Sequence, residues 1–352
     1  MTSFSCCMIV KNEEKLLDRC LSSIADLMDE IIIVDTGSTD ATKQVAARYT
    51  DKIYDFVWDD DFSAARNYSF SLATGDYIYC PDADEYLDEA NHEQLRLLKQ
   101  YIDPQVDIVQ MMYNTVSENT VLNIRNEYRP KLFRRLRTFT WVDPIHETVR
   151  LEPLVFNSDI SITHAPIDNH AKRDFRIFQK SIAKYGSLST NVTIMYATEL
   201  LKQGSLEDLQ QAHDYFQQLF ECAQDEYIKI AAGCVLVRLA RTANDRKAMM
   251  ALLPEYPAAK TTSEICYDFG IYYMNLGEYT KAIDWLHVAI NDVSYCLDVH
   301  CGGDYALEAL CSCYKRLIKL GASAEKIEIY KSELSVYEKM LNDWHLPEEQ
   351  NM

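Results

Sequence analysis

No stretch of this 352-residue chain approaches the ~20 uninterrupted apolar residues that a membrane-spanning helix needs, so no membrane span is expected. The opening segment, Met1 to Val10, lacks a basic stretch and a small-residue cleavage site, so no signal peptide is expected either. A disulfide framework is missing as well. The eleven cysteines are odd in number and scattered, and Cys6 and Cys7 sit side by side in an apolar segment. Such cysteines read as reduced and the protein as cytoplasmic. Cys296, Cys301, Cys311 and Cys313 contain no C-x-x-C pair, and with His300 they fit no standard zinc spacing. Cys311 and Cys313 would diverge on a helix, so these cysteines are expected in the core. Positive charge is also scarce: 35 Lys and Arg against 54 Asp and Glu leave a net charge of −19. Nucleic acid is therefore excluded as a partner, because its binding rests on neutralising phosphates.

What is present is the composition of a globular protein, 48% hydrophobic and 25% charged. The length exceeds what one core usually serves, so two domains are expected, at residues 1–170 and 171–352. In the first, strand and helix signals alternate. Ser5–Val10 is an apolar run, and Asn12 is placed to cap a following helix whose apolar face is Leu16, Leu17, Cys20, Leu21 and Ile24. Glu30–Val34 is a β-branched run of the buried parallel kind, ending in Asp35-Thr36-Gly37-Ser38-Thr39-Asp40 and a helix to about Tyr49. Lys52–Trp58, Phe62–Ala73 and Tyr77–Cys80 then read as strand, helix and strand. Alternation of this kind predicts a parallel sheet covered on both faces, with ligands outside the carboxyl ends of its strands. Asp107 to about Ile162 reads as short strands, and the chain is helical from about Asp174. Within that half, Gly270, Tyr273, Gly277, Tyr279, Ala282, Leu286 and Ala289 match the 34-residue tetratricopeptide spacing. Met195–Phe220 and Tyr305–Tyr330 are weaker relatives of the same pattern.

Chemistry concentrates at Cys80-Pro81-Asp82-Ala83-Asp84-Glu85, directly after the fourth strand. If that segment is extended, Asp82 and Asp84 point the same way, and two like charges that close call for a cation between them. Oxygen ligands favour Mg2+ or Mn2+, held by one or two carboxylates and by substrate phosphates. One local basic run, Arg125 to Arg137 with Arg129, Lys131, Arg134 and Arg135, suits a small phosphorylated ligand, or is simply a solvated strand. His164 ends the last strand signal; a lone histidine there caps a helix or stacks in a core as readily as it binds a metal. Glu147, likewise, pairs with an arginine such as Arg134 as readily as it does chemistry.

Four segments together carry a resemblance: CMIVKNEEKLLDRCLSSI, EIIIVDTGSTDAT, WDDDFSAARNYSFSLATGDYIYCPDADEYL and PIHETV. They resemble glycosyltransferase family 2, of the GT-A fold, from about Phe4 to Lys180. More narrowly they resemble its bacterial branch with C-terminal tetratricopeptide-like helices, which includes peptide S-glycosyltransferases and flagellin-modifying enzymes. The resemblance implies an α/β GT-A nucleotide-sugar-binding domain followed by an all-α helical-repeat domain. It implies a UDP-sugar donor site at Val10, Lys11, Asn12, Asp35, Arg66, Asp82, Ala83 and Asp84, with Asp35 accepting from the base and Arg66 reaching the nucleotide. Asp84 would be the main ligand of Mn2+ or Mg2+, with Asp82 at the metal site contacting ribose or metal-bound water and His164 a candidate third ligand. In an inverting mechanism Glu147 would take the acceptor's proton, and His146 would orient it or contact donor phosphate. This chain departs from the family in lacking a small residue near Asp143.

The acceptor implied is a protein or peptide, because helical repeats present concave surfaces to peptides. A homodimer through the repeats is open. So is a cell-surface or lipid-linked glycan acceptor, although the absence of a basic amphipathic helix counts against lipid. A non-catalytic scaffold is a further alternative, but a vestigial site need not keep two repelling carboxylates. A sugar-nucleotide pyrophosphorylase would need a Gly-rich loop where this chain has Lys11-Asn12-Glu13-Glu14.

Overall fold

The structure, a computed structural model, describes residues 2–115, 126–136, 141–142, 148–149, 152–166, 171–253, 261–321 and 323–347. The chain divides into two compact units, the first ending at Asn169 and the second running from His170 to Pro347.

In the first unit β1 (Phe4–Val10), β2 (Glu30–Asp35), β3 (Ile53–Asp55), β4 (Tyr77–Tyr79), β5 (Glu85–Tyr86), β6 (Ile108–Thr115), β7 (Asn126–Arg134) and β10 (Val155–His164) form one eight-stranded sheet. Its order is β3-β2-β1-β4-β7-β6-β10-β5, and β8 (Trp141–Val142) pairs with β9 (Thr148–Val149) in a separate ribbon. The half containing β3, β2, β1 and β4 is parallel, as the alternation of strand and helix predicts. Successive residues of β1 and β2 are buried on opposite faces: Cys6, Met8, Ile31 and Ile33 in one core cluster, Cys7, Ile32 and Val34 in another. Helix α1 (Leu17–Ser22) buries Leu17, Cys20 and Leu21 in the first cluster, while Tyr68, Phe70 and Leu72 of α3 (Phe62–Leu72) pack on the second. Continuous apolar strands are what a sheet covered on both faces requires.

The other half corrects the expectation of separate short strands. β6, β7 and β10 are long and enter the same sheet, with β7 antiparallel to both β4 and β6. On β6, Val109, Met111 and Tyr113 are buried and alternate with half-buried residues, the period of a strand with one fully packed face. Two helices also start or stop elsewhere than predicted. α1 begins at Leu17 without a side-chain cap, and α2 (Thr42–Ala46) ends short of Tyr49. Asn12 has a left-handed backbone (φ 57°) and accepts from the Thr39 N–H at 2.8 Å, so it ties two loops together instead of capping a helix. The last helix of the unit, α4 (Glu89–Tyr101), is capped by Asp88 and contributes Leu95 to the core.

The second unit consists of α5 (Ala171–Tyr185), α6 (Thr190–Gln203), α7 (Leu206–Cys222), α8 (Glu226–Thr242), α9 (Arg246–Leu252), α10 (Ser263–Asn275), α11 (Tyr279–Asn291), α12 (Asp304–Leu320) and α13 (Ala324–Asp343). α10 and α11 are the pair that carries the tetratricopeptide spacing. Gly270 makes their close approach possible: a β-carbon there would lie 2.7 Å from Leu286 Cγ. Gly277, between the helices, has φ +76°. Tyr272 is 3% exposed and belongs to the core, so it is no surface aromatic. Cys301, Cys311 and Cys313 are buried, as expected of core cysteines, whereas Cys296 is only partly buried. Gly270→Val should cost the helical unit about 1–3 kcal/mol through overpacking. Its melting transition should fall by several degrees; an unchanged transition would mean the two helices separate freely at that point.

Candidate active site

The carboxyl ends of β1, β2 and β4 carry the loops that the sequence nominates. Val10 stands opposite Asp35 in the β1–β2 register, and Thr36 N–H donates to the Val10 carbonyl at 3.0 Å. The loops beyond them are stitched together. Asn12 N–H donates to Ser38 Oγ at 2.9 Å, Glu13 N–H to Thr42 Oγ1 at 2.7 Å, and Ala41 N–H to Glu14 Oε2 at 2.9 Å. Lys11 is exposed at the tip. Asp35 is only 1% exposed; its carboxylate accepts from the Gly37 and Ser38 N–H groups at 3.2 and 3.0 Å and lies 3.6 Å from Lys43 Nζ. It therefore shapes the loop, chiefly through Oδ2. Asp40 accepts from Thr42 N–H at the start of α2, Asp60 from Trp58 Nε1, and Asp61 caps α3.

The D-A-D segment is a turn and not an extended strand. Glu85 N–H donates to the Asp82 carbonyl at 3.1 Å, and Asp82 N–H donates to Glu85 Oε2, also at 3.1 Å. The two aspartates therefore diverge. Asp82, half exposed, faces Arg66 Nη2 and Lys131 Nζ, each at 3.6 Å. Loss of water around the turn raises its pKa, but the charges of Lys131 and Arg66 outweigh that and hold it below the ordinary carboxylate value. Arg66 also donates to Cys80 Sγ, so it leaves the helix surface and enters the site. Ala83, 6% exposed, packs beneath the turn.

Asp84 turns the other way. Its Oδ2 lies 3.0 Å from His164 Nε2 although the two are 80 residues apart. The pairing of β10 with β5 brings this about, since it sets His164 opposite Glu85. The backbone closes the junction: Ala165 N–H donates to the Asp84 carbonyl at 3.0 Å, and Arg19 Nη2 donates to the Asp84 and Ala165 carbonyls. The His164 ring lies 4.9 Å from the Tyr113 ring. The separation is that of a hydrogen bond, and it is also compatible with a shared divalent cation, since two ligand atoms about 2.1 Å from an octahedral ion, at right angles, stand roughly 3.0 Å apart. His164 Nδ1 is buried with no hydrogen-bond partner among the described residues, so ring packing rather than an outer carboxylate orients the imidazole. Among the described residues no group of three His, Cys, Asp or Glu gathers round one metal position. A cation here would take its remaining ligands from phosphate and water.

Glu147 and His146, the candidate base and its neighbour, lie outside the described residues. Two residues that the motif reading passes over lie at the centre. Glu85 is 1% exposed, and Lys131 Nζ donates to its Oε1 at 2.5 Å. Burial, and then the charge of Asp82, raise the Glu85 pKa against the pull of Lys131. Burial lowers the Lys131 pKa, but Asp82 and Glu85 raise it more, so the ammonium stays charged. The signal for Lys131 was its place in the basic run two residues after Arg129. Both line the Tyr113 face, with Arg129 Cζ 3.9 Å and Lys131 Nζ 5.5 Å from the ring centre.

The first unit is thus a mixed α/β sheet with an acidic turn at its carboxyl edge, and helices follow it in the chain. Residues 5–150 match the profile described as Glycosyl transferase family 2. Over 305 residues the chain is 29% identical to a TPR repeat-containing protein of Synechococcus elongatus, covering 83% of this chain and 67% of that one. It is 38% identical over 91 residues to the SPbeta prophage-derived glycosyltransferase SunS of Bacillus subtilis, 25% of this chain and 22% of SunS. The chain thus spans about a fifth of that relative's length. Among solved structures, glucosyl-3-phosphoglycerate synthase from Mycobacterium tuberculosis in complex with Mn2+ and UDP-glucose is 16% identical, with a TM-score of 0.37. That alignment covers 54% of this chain and 81% of the other. Among the described residues no helix is long and apolar enough to cross a membrane.

Proposed function

We propose that this chain is an inverting transferase that moves a sugar from a UDP-sugar to a protein or peptide side chain, assisted by Mn2+ or Mg2+. The observation that carries the reading is one acidic turn at the carboxyl edge of the sheet that pairs Asp84 with His164 and Asp82 with Arg66. In this reading Asp84 and His164 hold the divalent ion, which, when bound, offsets the charge growing on the departing diphosphate. Arg66 faces the donor phosphates, and the loop shaped by Asp35 receives the base. The acceptor's nucleophile forms a bond to C1 as the bond from C1 to the diphosphate oxygen breaks, and the electron pair leaves with UDP. The acceptor proton passes to Glu147, with His146 beside it, an assignment that rests on the sequence motif alone. The helical unit supports a protein or peptide acceptor, because paired helices of this kind build extended binding surfaces.

The test is a panel of UDP-sugars with Mn2+ or Mg2+, scored by UDP release with and without peptides, folded proteins and glycans. Metal-dependent release with one donor, accelerated by a peptide or protein, is the expected result. Full activity in EDTA would remove the metal, and acceleration by glycans alone would remove the protein acceptor.

A further inference from the structure

We propose that Lys131 is a positioning residue of the donor site, holding the turn Asp82–Glu85 so that Asp84, and not Asp82, faces His164. The proposal rests on the metal reading given above and adds a residue that the motif does not contain. Lys131 comes from β7, a strand far along the chain from the turn, and its side chain is 6% exposed. Its carbonyl accepts from Cys80 N–H at 2.9 Å, which fixes it beside the exit of β4. From there the ammonium bridges two carboxylates, Glu85 Oε1 at 2.5 Å and Asp82 Oδ2 at 3.6 Å.

The bridge sets the geometry of the turn. Glu85, held by Lys131 through one oxygen, accepts Asp82 N–H through the other. Asp82 is drawn towards Lys131 and Arg66, away from Asp84. Without this cation three carboxylates, Asp82, Asp84 and Glu85, would share one turn in which Arg66 faces Asp82, and mutual repulsion would spread them. Lys131 therefore separates one carboxylate for the cation from two that belong to the scaffold. Outer groups that orient ligands are usually worth 10–100-fold in metal affinity.

The sign of the effect distinguishes positioning from simple charge. Removing a positive charge beside a cation site should tighten cation binding on Coulombic grounds alone. Loss of positioning should weaken it. The experiment is titration of the full chain with Mn2+, following free Mn2+ by its electron paramagnetic resonance signal, for the wild type, Lys131→Met and Lys131→Arg. The expected result is affinity lowered roughly 10–100-fold in Lys131→Met and largely kept in Lys131→Arg. If Lys131→Met does not fold, the double variant Lys131→Met with Glu85→Gln leaves no unpaired buried charge and carries the same expectation. Unchanged or tighter Mn2+ binding in the folded variant overturns the positioning role alone. A wild-type chain that takes up no Mn2+ overturns the metal reading, and this proposal with it.

Discussion

Asp84→Ala should lower sugar transfer by roughly a thousandfold or more, with the first unit still folded. A Lewis acid at a departing diphosphate is worth several kcal/mol of transition-state stabilisation, and each 1.36 kcal/mol is about tenfold in rate. The structure explains why the fold should survive. What Asp84 contributes to the junction of β5 and β10 is its backbone carbonyl, which accepts from Ala165 N–H and Arg19 Nη2. Alanine keeps both bonds. The carboxylate itself is partly exposed and meets His164 alone among the described side chains named at the turn. UDP release should therefore collapse while the circular dichroism spectrum and melting transition stay close to the wild type. Activity within tenfold of the wild type would place the cation, or the need for one, elsewhere.

The parts of this site that local sequence could reveal are those made by local chain. EIIIVD is buried on both faces, and the loops after β1, β2 and β4 lie where a parallel sheet puts its ligands. Arg66 and Asp82 are joined by one helix and one strand, and they meet. The geometry of the D-A-D segment was not legible, because a period of two assumes an extended chain. Here a hydrogen bond from Glu85 N–H to the Asp82 carbonyl closes a turn that sends the carboxylates apart. The basic run names Lys131, but nothing in the local spacing announces that it is buried against this turn.

The same limit explains the sheet. β7 enters between β4 and β6, so the strand beside β4 follows it by some fifty residues, and only long-range pairing decides that. In the helical unit, by contrast, contacts are near in sequence, and the α10–α11 pair was readable from small and aromatic residues. Even there, spacing did not show which aromatics face inward. Tyr272 is enclosed, whereas Tyr227 and Tyr305 remain exposed at 46% and 38% and are the better positions for testing acceptor binding.

The largest effect on stability should come from Asp268→Ala, in the unit that holds none of the candidate donor residues. Asp268 is fully buried on α10, and both its oxygens accept from Arg238 Nε of α8 at 2.9 Å. Arg241 Nε donates to Oδ1 at 2.5 Å, so one carboxylate serves two guanidinium groups. Arg238 is further committed to the Leu201 carbonyl and to Cys301 Sγ, which ties α6, α8 and α10 to the segment before α12. Removing Asp268 leaves the buried Arg238 and the partly buried Arg241 without their counter-ion, a change that typically costs about 3–5 kcal/mol for a buried pair. That is a large part of the 5–15 kcal/mol that usually separates folded from unfolded states. Asp268→Asn should cost less, because an amide oxygen still accepts one hydrogen bond. The two units need not melt together, so urea titration should be read as separate transitions, with the helical one moving to lower denaturant. Donor-side UDP release below that transition should be unchanged, because Asp35, Arg66, Asp82, Asp84 and His164 all belong to the first unit. A helical transition within 1 kcal/mol of the wild type would show that Arg238 and Arg241 find other acceptors, and that the buried triad does not hold the helices together.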